Sequence, residues 1–149
     1  MNGPEAVRQI YRQYYADADA AEKRRSPADG LFGFGKKAAD DPCHTAFYES
    51  LKAVLLEFRG QEPDSADVRE VLSWIYEAPD TRPEPASVRW MLIAAHGLTA
   101  ELIGCLNGTD AAALYADYGS RYRRFERFPV QQEVFRRLKK AAAAPPRPV

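Results

Sequence analysis

Val88-Arg89-Trp90-Met91-Leu92-Ile93-Ala94-Ala95-His96-Gly97-Leu98-Thr99-Ala100-Glu101-Leu102-Ile103-Gly104-Cys105-Leu106 is the most apolar stretch of the chain. It is long enough for a membrane span, but ionisable groups at such depth cost roughly 2.5–3.5 kcal/mol each, and Arg89, His96 and Glu101 all fall inside it. A buried helix of a soluble bundle explains the stretch better. Apolar nearly all round, it predicts a central helix over about 84–106 that other helices surround. Within it Glu101 is expected to be buried and ion-paired, since a buried carboxylate needs a partner. Gly97, Ala100 and Gly104 form a small-residue face suited to close helix approach.

The flanking segments supply the surrounding helices. From Pro4 to about Ala20 or Arg25, Val7, Ile10, Tyr11, Tyr14, Ala18 and Ala21 share one arc. Asp41 as N-cap with Pro42 after it starts a helix that Gly60 ends, with Phe47, Leu51, Val54, Leu55 and Phe58 facing inward. Asp64 or Ser65 opens the next, carrying Val68, Val71, Leu72 and Ile75, which should stop before Pro79 because a residue preceding proline avoids helical geometry. Asn107-Gly108-Thr109 separates the central helix from one starting at Asp110, in which Leu114, Tyr118, Tyr122 and Phe125 are spaced for one face and Gly119 leaves continuity open. Pro129 begins the last, with Val130, Val134, Phe135 and Leu138 on one arc and Arg136, Arg137, Lys139 and Lys140 opposite. The tail, 141–149, carries three prolines and should fray.

No stretch alternates apolar and polar residues as a half-buried strand does, and no repeat at solenoid spacing occurs. The fold expected is all-α: one domain over 1–149, a compact bundle of five to six helices, with a long Gly-rich loop at about 26–40. At 149 residues such a chain buries enough surface to fold without disulfide or metal. Cys43 and Cys105 form no disulfide framework, and no secretory leader opens the sequence, so a cytoplasmic protein with reduced thiols is expected.

Net charge is zero, but residues 1–120 hold 12 Lys/Arg against 19 Asp/Glu while residues 121–140 hold 8 against 2. The plain explanation is a basic C-terminal helix packed beside acidic ones. The functional alternative is a nucleic-acid surface over 121–140, where Arg121, Arg123, Arg124, Arg127, Arg136, Arg137, Lys139 and Lys140 interleave with Tyr122, Phe125 and Phe128. Against it stand the near-neutral pI, about 6.7, and Glu133, placed to pair with Arg137 one turn on.

Gly30-Leu31-Phe32-Gly33-Phe34-Gly35-Lys36-Lys37 approaches the phosphate-binding pattern GxxxxGK[ST], and Gly33, Gly35 and Ala38 fit GxGxxA. Both patterns need a strand before the glycines and a helix at once after them. Here a helix precedes, and Lys37 stands where the magnesium-binding hydroxyl belongs, so no nucleotide cofactor is expected. Leu31, Phe32 and Phe34, with Lys36 and Lys37, are instead the candidate partner-binding loop, their alternative role being to plug the bundle's own surface.

Cys43, His44, His96 and Cys105 match no zinc spacing. On one continuous helix His96 and Cys105 would point about 180° apart, so no metal site is expected. His44 and His96 fall at the margin of the core. In the first turn of its helix Cys43 has a dipole and a neighbouring histidine that favour thiolate. No nucleophile, base and orienting group converge. The function expected is a non-enzymatic module that contacts another protein or itself, with nucleic-acid binding as the alternative and an enzyme assembled from structural-looking residues as the weakest.

Overall fold

The computed structural model describes residues 2–24, 41–81, 85–123 and 128–143. Among them the chain forms α1 (Gly3–Arg24), α2 (Pro42–Gly60), α3 (Ser65–Thr81), α4 (Ala86–Ala94), a 3-10 segment (Ala95–Thr99), α5 (Ala100–Ile103), α6 (Gly108–Arg121) and α7 (Pro129–Ala143). There is no strand among the described residues. The all-α bundle stands, and no described helix is long and apolar enough to cross a membrane.

Helix starts are set by local chemistry. The side chains of Asn2, Asp41, Asp64 and Asn107 each accept a backbone N–H of the first turn that follows, from Glu5, Cys43, Asp67 and Asp110 at 2.7–2.9 Å. These bonds occupy donors that have no partner inside a helix. Pro42 and Pro129 occupy first-turn positions where the missing N–H costs nothing. α6 runs unbroken through Gly119. A Cβ there would lie 2.9 Å from the Phe135 ring, so the glycine lets α7 close against α6.

α1 packs on α2 and α3, and α7 packs on α6. Between the two pairs lies the 3-10 segment, in contact with α2, α3, α4, α5 and α7. The apolar stretch is therefore the hub expected of it, but it is not one helix over 84–106. His96 is driven into the core, and Thr99 Oγ1 donates to the His96 carbonyl at 2.7 Å, a side-chain bond that competes with the α-helical ladder. Nor is the stretch surrounded. Trp90, Gly97, Glu101 and Gly104 are exposed, and Glu101 meets Arg59 at the surface, 2.5 Å away, so the expected buried carboxylate is an exposed ion pair. On the small-residue face, Gly97 is closely approached by Val130 of α7.

A second departure is α3, which continues past Pro79 to Thr81. Thr81 Oγ1 donates to the Glu77 carbonyl, and Arg89 reaches from α4 to the Pro79 carbonyl at 2.6 Å. Tertiary and side-chain bonds thus hold the last turn that proline weakens. Lacking an N–H, Pro79 also leaves the Ile75 carbonyl without its helical donor, and that carbonyl turns toward His96.

Candidate functional site

Trp90 is the largest exposed apolar side chain described, at 59%. Its ring lies 5.5 Å from that of Phe128, tilted by 58°. Val130, two residues on, leans over Gly97, close enough that a Cβ there would be 3.1 Å from its methyl. α4, the 3-10 segment and the start of α7 therefore share one outward aromatic and aliphatic face. Trp90 escaped the sequence reading because its neighbours are apolar on every side, and periodicity cannot choose the outer face of such a segment. The other large exposed apolar residue, Leu56, stands on the outer side of α2.

Three arginines of the basic segment are engaged by carboxylates. Arg121, at the end of α6, turns to Asp117, Asp80 and Glu77 at 3.5–3.8 Å. Glu133 accepts two hydrogen bonds from Arg136 and one from Arg137 at 2.6–3.0 Å. Those bonds, Arg136's first, hold its carboxyl down to about 2. Arg123, Lys139 and Lys140 remain exposed. Arg124 and Arg127 lie outside the described residues, as do Leu31, Phe32, Phe34, Lys36 and Lys37 of the partner-binding loop. The acidic excess of 1–120 gathers in α3, where Glu70, Glu77 and Asp80 draw Arg8, Arg121 and Arg89 from three other helices. α7's own ion pairs are internal.

The histidines are core groups, not marginal ones. His44 is 5% exposed, with Nδ1 2.6 Å from the Tyr14 hydroxyl. His96 is fully buried among the rings of Tyr76, Tyr118 and Tyr122, with centroids at 5.2–5.6 Å. Its Nδ1 stands 2.9 Å from the Tyr118 hydroxyl, which the buried Gln131 side chain also bonds. A chain of bonds runs beneath, from the Tyr76 hydroxyl to Thr99 Oγ1 and on to the His96 carbonyl, each 2.7 Å. The Tyr122 hydroxyl donates to the Tyr76 carbonyl. Burial lowers the imidazole's pKa to about 3, the Ile75 carbonyl offsetting only part of it, and Nε2 makes no well-aligned hydrogen bond. Burial raises Tyr76, Tyr118 and Tyr122 well above the ordinary phenol value. A neutral imidazole among neutral phenols, closed to solvent, organises a core. Gln131 was missed by sequence reading, although its place three residues before Val134 and seven before Leu138 puts it on their buried arc.

Cys43 sits beside the Asp41 carboxylate, which accepts both its backbone N–H and its thiol and is held below the usual carboxylate range by them. Cys105 borders an open groove of about 980 Å3 with Arg59, Ser65, Asn107, Arg137 and Lys140. Most of that groove's polar groups are engaged internally: Arg59 with Glu101, Arg137 with Glu133, and Ser65 with Asp110 and the Asn107 N–H. No group of three or more potential metal ligands occurs among the described residues.

The chain matches no protein-family model, no curated protein and no solved structure.

Proposed function

We propose that the chain is a small cytosolic helical module without catalytic activity that binds a protein, another copy or a different chain, through the face bearing Trp90 and Phe128. The observation that carries this reading is Trp90, more than half exposed yet set against a second aromatic ring. Single exposed apolar residues are ordinary. An exposed tryptophan set beside Phe128, near where Val130 covers Gly97, is the kind of anchor that dominates binding energy at protein interfaces. Glu133 disfavours the nucleic-acid reading by occupying Arg136 and Arg137, two of the cations that would neutralise phosphate.

The test is a photo-crosslinking residue placed at position 90 and, as a control, at position 52 on the outer face of α2, in cells that express the chain. The expected result is protein adducts at 90 that are absent at 52 and suppressed by excess wild-type chain. Equal labelling at both positions, or adducts to nucleic acid alone, would overturn the proposal.

A further inference from the structure

The 3-10 interruption at 95–99 places its one titratable side chain, His96, at the junction of both halves of the bundle. His96 belongs to the 3-10 turn between α4 and α5, touches α3 through Tyr76, α6 through Tyr118 and Tyr122, and reaches α7 through the Tyr118 and Gln131 pair. Among the described residues no carboxylate acts on its ring. Charged groups of the elements around it pair with one another at the surface: Arg59 of α2 with Glu101 of α5, Asp80 of α3 with Arg89 of α4, Glu77 of α3 with Arg121 of α6, and Glu133 with Arg136 and Arg137 in α7; others, such as Lys52, Glu57, Lys139 and Lys140, are exposed. The groups that do face the ring are three phenols and the Ile75 carbonyl. An imidazolium has no counter-charge there, and desolvating it unpaired is costly.

The backbone at this point departs from α-helical bonding. Its five residues use 3-10 hydrogen bonds, which are poorer than α-helical ones, and Gly97 within it is exposed. α1, by contrast, makes its main contacts with α2 and α3.

We propose that residues 95–99 form an acid-sensitive latch: His96 takes up a proton only when the segment opens, so mild acid populates a state in which α4 and α5 loosen from α6 and α7 while α1 and α2 stay paired. This holds whether or not the Trp90 face is a docking site. The ring is neutral when enclosed, at about 3, and ordinary in the open state, at 6.5. Linkage then raises the open population about 30-fold between pH 7.5 and pH 5.

Native-state hydrogen exchange on the full chain tests it, read as protection factors so that the intrinsic pH dependence cancels. Amides of residues 98–103 should lose about 30-fold in protection over that interval while those of Leu51 and Leu55 in α2 lose far less. His96→Gln, which keeps a side-chain amide near Tyr118 without a titrating group, should abolish the difference. An equal loss in both regions, no loss in either, or a difference that persists in His96→Gln would overturn the latch. Should the variant fail to fold, the comparison of the two regions within wild-type chain still decides.

Discussion

The Tyr118 hydroxyl stands 2.9 Å from His96 Nδ1, joining residues 22 apart in sequence. A single bond therefore ties the middle of the interrupted hub to α6, and a second, from Gln131, ties the same hydroxyl to α7. Its geometry is met by an imidazole protonated at Nε2, with Nδ1 accepting from the phenol.

Tyr118→Phe removes that donor and leaves Nδ1 enclosed without a partner. A buried acceptor deprived of its bond costs about 1–3 kcal/mol. Urea denaturation should show a loss of this size with an unchanged slope, and a change below about 0.5 kcal/mol would mean the bond is absent in solution.

Leu92 and Leu56 are a matched pair, both leucines in helices, one fully buried and the other 56% exposed. Leu92→Ala should cost about 2–5 kcal/mol as a core truncation. Leu56→Ala should stay within about 0.5 kcal/mol. Equal costs, read from denaturant midpoints, would mean that α4 does not present Leu92 inward.

Stability should fall in acid for a specific reason. His96 binds a proton at about 3 when folded and at 6.5 when exposed, so the unfolded chain is protonated first. The stability this histidine permits is complete above about pH 6.5 and is lost as pH falls toward 3, with about 2 kcal/mol gone at pH 5. His96→Phe, measured beside wild type from pH 7.5 to 5, should lack that decline. Parallel curves for the two proteins would refute the assignment.

Glu133→Gln releases Arg136 and Arg137 from their shared carboxylate. Affinity for random duplex at low salt should rise, and the salt slope should steepen by roughly one to two units. No change in slope would show that these arginines lie away from any phosphate path.

How far the sequence foretold this molecule follows from where each feature is determined. Asp41 with Pro42, Asn107, and Pro129 announce helix starts because capping involves residues only two or three apart. The buried arcs of α1 and α2 follow from periodicity, and Val7, Tyr11, Tyr14, Phe47, Leu51, Leu55 and Phe58 are all inside. The break at 95–99 is a different matter, since it depends on Tyr76, Tyr118 and Gln131, which no local pattern links to His96. Pro79 stays helical because Arg89, ten residues on, bonds its carbonyl. The pairing of the basic segment's arginines was half legible: Glu133 to Arg137 follows from i,i+4 spacing, whereas Arg121 turning to Glu77 and Asp80 needs α3 and α6 side by side.

The most direct measurement is the titration of the two imidazoles by NMR on chain labelled at histidine, with resonances assigned by His44→Gln and His96→Gln. The account predicts that the His96 ring carbons keep neutral, Nε2-protonated shifts in the folded state down to the pH at which the chain opens. A folded-state midpoint near 6.5 would contradict it, placing His96 in water and removing the hub as described.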